Sequence, residues 1–175
     1  MNANTIDDWR NLFTADPQRW ARVVDLSIET CLNKTQSSVV SHLVPYFDKL
    51  SKGKLAGVPY AIKDLFDTTG ICSRNSSKLP VFKVKALDDC DVVKKMRDLG
   101  ALCVAKTQMN EFAYGLSGEN PHFGNCPHPV LENCLSGGSS SGSAHIVAAR
   151  YLPLSFGTDT GGSIRLPAAW CGIYA

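Results

Sequence analysis

Residues 136–144 read Ser136-Gly137-Gly138-Ser139-Ser140-Ser141-Gly142-Ser143-Ala144, and residues 157–165 read Gly157-Thr158-Asp159-Thr160-Gly161-Gly162-Ser163-Ile164-Arg165. We refer to these stretches as the first loop and the second loop. Each can present a serine hydroxyl beside backbone N–H groups, which is what an enzyme that attacks a carbonyl carbon requires. Stretches rich in glycine and serine are often linkers, but each of these is followed by patterned sequence. We therefore predict that both are ordered parts of an active site.

The composition is that of a globular protein. The chain has 175 residues, of which 44% are hydrophobic and 19% charged, and its net charge is +2. Acidic and basic residues are interspersed and no apolar run is long enough to span a bilayer, so we expect no direct nucleic-acid partner and no membrane partner. The N-terminus lacks the pattern of a secretory signal. Seven irregularly spaced cysteines favour free thiols and a cytoplasmic location.

Hydrophobic periodicity predicts helices that alternate with short strands. Helices are expected to begin near Ile6, at Pro17, at Asp88 or Asp89, near Ser143 and near Leu166. Strands are expected near residues 58–66, 101–105 and 154–158. Residues 36–54 fit either extended chain at Val39-Val40 or a helical turn at 45–50. A helix that runs directly into an apolar strand is half of an α/β unit, so the predicted class is α/β.

A serine hydroxyl needs a base before it can attack an amide. None of the four histidines, His42, His122, His128 and His145, lies in a recognisable Ser-His-Asp pattern, and no Gly-x-Ser-x-Gly motif is present. Lys63 ends an otherwise apolar strand, where burial lowers the pKa of an amine and allows its neutral form to act as a base. A lone lysine at a strand end more often reaches solvent. The two loops are what favour the catalytic interpretation.

Three segments together resemble the amidase signature family. They are the first loop, the second loop and Leu55-Ala56-Gly57-Val58-Pro59-Tyr60-Ala61-Ile62-Lys63-Asp64. They occur in the family's order, and Ser139 and Ser163 keep the family's separation of 24 positions. The resemblance implies the amidase signature fold, a mixed β-sheet flanked by helices, here truncated at its C-terminal side.

The resemblance also implies how the chain is organised. Residues 1–175 would form a single amidase signature domain that is incomplete at the C-terminus. Residues 1–54 would be a mainly helical N-terminal segment, and residues 55–175 the catalytic signature region. Because the family domain is normally well over twice this length, we expect an N-terminal fragment. Such a fragment, expressed alone, would expose part of its core and is predicted to be poorly soluble and inactive.

Site roles follow from the matched motifs. Ser163 matches the nucleophile, Ser139 the bridging serine after a cis peptide bond with Gly138, and Lys63 the base. The oxyanion hole would be formed by the N–H groups of the residues leading to the nucleophile, namely Thr160, Gly161 and Gly162, with that of Ser163 itself. A further group matches positions that hold the loops in place: Ser140, Asp159 and Arg165.

The implied activity is hydrolysis of the carbon–nitrogen bond of a small carboxamide through a seryl acyl-enzyme, with release of ammonia or an amine. Residues 63–67 and 112–122 look nearer to carboxybiuret hydrolase-like amidases than to the A-type component of amidotransferases. Two alternatives stay open: an A-type amidotransferase component with glutaminase activity for tRNA-dependent amidation, and a catalytically inert amidase-like scaffold. The expected partner is a small-molecule amide, with a homodimer or a partner subunit left open. No cofactor is expected.

Two other kinds of site are disfavoured by spacing. Cys126, Cys134, His122 and His128 lie close together in sequence, but no paired Cys-x-x-Cys is present, so no metal site is predicted. The first loop is not followed by the lysine of a phosphate-binding Gly-x-x-x-x-Gly-Lys-Ser/Thr motif. Nucleotide binding is therefore not expected.

Overall fold

The computed structural model describes residues 3–46 and 52–175. Helix α1 (Ile6–Ala15) begins at a capping box, in which the Thr5 hydroxyl accepts from the N–H of Asp8 and the Asp8 carboxylate accepts from the N–H of Thr5. Helix α2 (Pro17–Thr35) begins directly after Asp16, whose carboxylate accepts from the N–H of Arg19. Both predicted helix starts are confirmed.

Four strands form one mixed sheet. They are β1 (Val40–Leu43), β2 (Pro59–Lys63), β3 (Leu102–Thr107) and β4 (Leu154–Phe156). Their order is β1-β3-β2-β4, with β1 antiparallel to β3 and the other pairs parallel. Strand β1 confirms extended chain beginning at Val40, whereas the alternative turn at 45–50 falls mostly on residues outside the described ranges.

Helices cover both faces of the sheet. One core contains buried side chains of α1, α2, β3 and α4, among them Trp9, Trp20, Val104 and Ile146. The other core lies between the sheet and α3 (Asp91–Asp98), with Tyr60, Ile62, Val93 and Met96. This arrangement confirms the predicted class, a mixed sheet flanked by helices.

Two helix starts differ from prediction. Helix α3 begins at Asp91 and has no side-chain cap, because the Asp89 carboxylate accepts instead from the N–H and hydroxyl of Thr69 and pairs with Arg97 at 2.6 Å. Helix α4 (Ser141–Ala148) begins two residues before the expected Ser143. A short last helix, α5 (Arg165–Cys171), follows the second loop.

The sheet brings the functional segments to one edge. Strands β2 and β4 are parallel neighbours, so their carboxyl ends lie side by side. Lys63 is the last residue of β2, and the second loop begins directly after β4. In the described ranges no helix is long and apolar enough to cross a membrane.

Candidate active site

The amine of Lys63 is held between the two loops. Its Nζ donates to Ser139 Oγ at 2.8 Å and to Thr158 Oγ1 at 2.9 Å. The Lys63 side chain is fully buried at the end of β2. The sheet therefore joins three segments that are far apart in the sequence at one nitrogen atom.

Burial changes the acidity of this amine. It lowers the pKa of Lys63 to about 8, and the negative charge of Asp159 offsets only part of that effect. The partners of the amine are hydroxyls, which stabilise an ammonium less than a contacting carboxylate does. A substantial fraction of Lys63 is thus neutral near pH 8, in the form that can accept a proton.

The backbone of the first loop is fixed on both sides of Ser139. The peptide bond between Gly138 and Ser139 is cis. The N–H of Gly138 donates to the carbonyl of Leu116 at 2.8 Å, and the N–H of Asn110 donates to the carbonyl of Ser139 at 3.2 Å. A side chain at Gly138 would overlap Asn110 Oδ1, so the close approach requires glycine.

Ser140 joins the first loop to the second. Its hydroxyl lies 3.3 Å from both the N–H and the carbonyl oxygen of Thr158. Its own N–H donates to the carbonyl of Ser163 at 3.1 Å. These contacts agree with the supporting role expected for Ser140.

Ser163, the expected nucleophile, is buried beside the first loop. Its main chain is held there by Ser140. In residues 3–46 and 52–175 its hydroxyl makes no hydrogen bond, to Ser139 or to any other group. The structure thus links Lys63 to Ser139 directly, and it brings the backbone of Ser163 next to them without closing the second step of the relay.

Asp159 holds the turn of the second loop. Its carboxylate accepts from the N–H groups of Gly162 at 2.7 Å, Ile164 at 3.1 Å and Arg165 at 3.1 Å. The Arg165 guanidinium donates to both carboxylate oxygens, at 3.0 and 2.8 Å. These bonds, led by those from Arg165, lower the pKa of Asp159, and the carboxylate raises the pKa of Arg165. Both residues lie where a loop-supporting role requires them.

One predicted oxyanion donor is already engaged. The N–H of Gly162 points to Asp159 Oδ1, which differs from the expectation, because the side chain at the start of the turn captures it. The N–H groups of Thr160, Gly161 and Ser163 have no acceptor within the described part of the chain. Thr160 and Gly161 are exposed, so these two N–H groups are open to a ligand.

Several participants were missed from the sequence. Thr158 was overlooked because only the pairing of β2 with β4 shows which hydroxyl reaches Lys63. Asp64 and Lys106 were also overlooked, although both are fully buried and lie 3.3 Å apart. A signal was present for Lys106, since it lies near the end of an apolar strand just as Lys63 does.

The histidines and cysteines of residues 122–134 have separate partners. His122 Nε2 lies 3.0 Å from Glu111 Oε1, and His128 Nε2 lies 2.9 Å from the carbonyl oxygen of Trp170. Cys126 is buried, and burial raises the pKa of its thiol to about 12. Across the described residues, no three His, Cys, Asp or Glu side chains are grouped as metal ligands would be.

Comparison with known proteins places this chain. The family model for amidases matches residues 19–174. The chain therefore belongs to the amidase signature family, whose members are amidohydrolases that act on carbon–nitrogen bonds.

Three relatives show how close the likeness is. The A-type component of the glutamyl-tRNA(Gln) amidotransferase of Archaeoglobus fulgidus is 44% identical over 70% of this chain, which corresponds to 27% of that protein. AtzE, a component of the 1-carboxybiuret hydrolase of Pseudomonas sp. (strain ADP), is 42% identical over 69% of this chain and 26% of its own length. The structure of Kluyveromyces lactis allophanate hydrolase superposes with a TM-score of 0.78 at 32% identity, covering 94% of this chain and 29% of that one.

Two facts follow from these comparisons. The chain spans about a quarter of the length of the two curated relatives. Identities of 44% and 42% do not favour the carboxybiuret hydrolases over the amidotransferases, so the expected preference for the former branch is not supported.

Proposed function

We propose that this chain carries the Ser–cis-Ser–Lys machinery of an amidase that hydrolyses the carbon–nitrogen bond of a small carboxamide. The observation that carries the proposal is the 2.8 Å hydrogen bond between Lys63 Nζ and Ser139 Oγ. A fully buried amine with hydroxyl partners is suited to accept a proton and to return it. We further propose that residues 1–175 are part of a single amidase domain.

The first half of the reaction forms an acyl-enzyme. Neutral Lys63 takes the proton of Ser139 Oγ, which takes the proton of Ser163 Oγ as that oxygen bonds to the amide carbon. The carbonyl π electrons move to the oxygen, where N–H groups of Thr160, Gly161 and Ser163 donate to the oxyanion. The tetrahedral carbon then loses its amine, which receives the proton that Lys63 returns through Ser139.

The second half restores the enzyme. Water replaces the amine, and its proton passes through Ser139 to Lys63 as its oxygen bonds to the acyl carbon. Collapse of the second tetrahedral intermediate breaks the bond to Ser163 Oγ, which regains a proton by the same relay. The acid leaves, and no cofactor enters these steps. The step that this scheme requires is rotation of the Ser163 hydroxyl toward Ser139.

A fluorophosphonate, which labels activated serine hydroxyls, tests the proposal without knowledge of the substrate. In the protein at its natural length we expect one labelled residue, Ser163, identified by mass spectrometry. Ser163→Ala should abolish labelling, and Lys63→Met and Ser139→Ala should slow it at least about 100-fold, as loss of a general base does. Ser27→Ala, on α2, is the matched control and should label normally. Unchanged labelling of Ser163→Ala would refute the proposal.

A second candidate is an A-type amidotransferase component with glutaminase activity. It is supported by 44% identity to the corresponding component of a glutamyl-tRNA(Gln) amidotransferase over 70% of this chain. Stable co-purification with a second protein, and glutamine hydrolysis that depends on it, would favour this candidate over a free-standing amidase. An inert scaffold is less well supported, because Lys63 and Ser139 are in contact. Seven free thiols support a cytoplasmic location for either enzyme.

A further inference from the structure

A second lysine is buried on the neighbouring strand. Lys106 lies next to the last residue of β3, and its side chain, like that of Lys63, is fully buried. Lys63 contacts hydroxyls, whereas Lys106 Nζ lies 3.3 Å from Asp64 Oδ1 and donates to Ser73 Oγ at 3.0 Å and to the carbonyl of Cys72 at 3.2 Å. The two buried lysines thus differ in whether a carboxylate accompanies them.

Asp64 directly follows Lys63 and is also fully buried. Its N–H donates to the carbonyl of Thr107 at 3.0 Å, and its Oδ2 accepts from the N–H of Ser76 at 2.9 Å. Its Oδ1 has no well-aligned hydrogen bond. That oxygen faces Lys106 and, at 3.7 Å, His42 Nδ1. A buried carboxylate needs a counter-charge to stay ionised, and Lys106 supplies it.

A continuous path of hydrogen bonds leads from Asp64 to Ser139. Ser76, bound to Asp64, accepts at its hydroxyl from the N–H of Met109 at 3.0 Å. The Asn120 amide donates to the carbonyls of both Ser76 and Met109, at 2.9 and 3.1 Å. The next residue, Asn110, donates its N–H to the carbonyl of Ser139. Both residues of the Lys63–Ser139 hydrogen bond are therefore attached to this path.

We propose that Asp64 and Lys106 are positioning residues for the amide hydrolysis, holding Lys63 and Ser139 in register and balancing each other's charge beside the basic amine. This inference rests on the proposed function. It assigns a purpose to a buried ion pair that touches none of the reacting atoms. An ion pair in this place leaves no net charge next to Lys63, whereas a single charge there would bias the protonation of its amine.

The charged and titratable groups around the pair come from several elements. On β1, burial lowers the pKa of His42, so its imidazole is neutral in the alkaline range in which Lys63 titrates. Arg74 acts on His42, Asp67 and Cys103 act on Lys106, and Asp159 acts on Lys63. Lys106 and Asp64 are the members whose replacement changes the charge nearest to Lys63 along the chain.

The pH dependence of fluorophosphonate labelling at Ser163 tests the inference. Lys106→Met leaves the Asp64 charge unbalanced and should move the acid limb to higher pH, by about 0.5 unit or more for a charge at this distance in a protein interior. Asp64→Asn leaves the Lys106 charge unbalanced and should move the limb to lower pH. The double variant, which lacks both charges, should return the limb close to that of the wild type. Each single variant should also slow labelling about 10-fold on the alkaline plateau, because the relay is less well held.

Controls separate positioning from mere support of the fold. Lys94→Met removes an exposed ion pair, Lys94 with Asp88 at 3.1 Å, and should leave the limb in place. Lys106→Arg keeps the charge and should resemble the wild type in the position of the limb. If Asp64→Asn does not fold, opposite behaviour of Lys106→Met and Lys106→Arg still supports the inference.

Other outcomes would overturn the inference. Slower labelling with an unmoved limb in both single variants, or shifts in the same direction, would reduce the pair to a structural role. Absence of Ser163 labelling in the wild type would instead refute the proposed function, and this inference with it.

Discussion

The Nζ atom of Lys63 lies 2.8 Å from the Oγ atom of Ser139, although 76 positions separate the two residues in the chain. Lys63 ends β2, and Ser139 lies just before α4, which packs on the same sheet. A long amine is thereby held in the protein interior with hydroxyl partners. This relationship sets both the acidity of the amine and the expected behaviour of the protein.

The first prediction concerns pH. Because burial lowers the pKa of Lys63 to about 8, the rate of Ser163 labelling should rise with pH through a midpoint near 8 as the amine loses its proton. A labelling profile across the neutral and alkaline range measures this midpoint. In Lys63→Met the residual rate should lose this limb. A limb that persists in Lys63→Met would show that another group is the base.

The second prediction concerns stability. Folding disfavours the ammonium of Lys63, whose pKa falls from 10.5 to about 8, so the folded state binds fewer protons than the unfolded state between these values. The cost is present below pH 8 and disappears as the pH rises toward 10.5. Lys63→Met should therefore raise the free energy of unfolding at neutral pH by up to about 3 kcal/mol, less whatever its hydrogen bonds contribute.

Denaturant unfolding at neutral pH and near pH 10.5 checks this sign. The advantage of Lys63→Met should shrink at the higher pH. A variant that is less stable than the wild type at neutral pH, or whose advantage grows with pH, would contradict the prediction.

The third prediction concerns Thr158. Its hydroxyl accepts from Lys63 Nζ at 2.9 Å, so Thr158→Val removes one of the two partners that orient the amine at nearly constant volume. Labelling of Ser163 should slow about 5- to 20-fold, the equivalent of one hydrogen bond. Thr158→Ser keeps the hydroxyl and should stay within about 3-fold of the wild type by the same reasoning. Equal rates for the valine and serine variants would remove Thr158 from the site.

The fourth prediction contrasts two glycines. A Cβ at Gly142 would lie 2.9 Å from both the backbone nitrogen and the carbonyl oxygen of Gln108 and would also overlap the carbonyl of Val39. Gly142→Ala should therefore destabilise the fold by about 1–3 kcal/mol, as overpacking does. A Cβ at Gly161 meets nothing within 4 Å, so Gly161→Ala should melt close to the wild type. Thermal unfolding of both variants decides the point, and equal loss of stability would contradict it.

The fifth prediction concerns residues 1–175 expressed alone. Of the described large apolar side chains, five are at least 76% exposed: Val84, Leu87, Tyr114, Val130 and Tyr174. No described strand pairs with the outer edge of β4. An open strand edge beside exposed apolar groups promotes association, so light scattering should show self-association. A monodisperse sample that melts cooperatively would contradict this expectation.

Local patterns carried much of the fold into view from the sequence. The capping box at Thr5 and the Asp16-Pro17 pair marked the starts of α1 and α2 because a helix start depends on side chains within one turn. The start of α3 was wrong because Asp89 is bound to Thr69 and Arg97, partners that helical periodicity does not reveal. Competition from residues distant in sequence is what local patterns omit.

The sequence by itself determined the class of the protein and named Lys63, Ser139 and Ser163, because the motifs around them are contiguous and occur in a specific order. Tertiary structure alone decided which groups meet. It directed Lys63 to Thr158, engaged the N–H of Gly162 with Asp159, and buried Lys106 against Asp64. The physical reason is that the acidity of a buried group depends on its neighbours in space. Strand pairing supplies those neighbours from segments that carry no mark of one another in the chain.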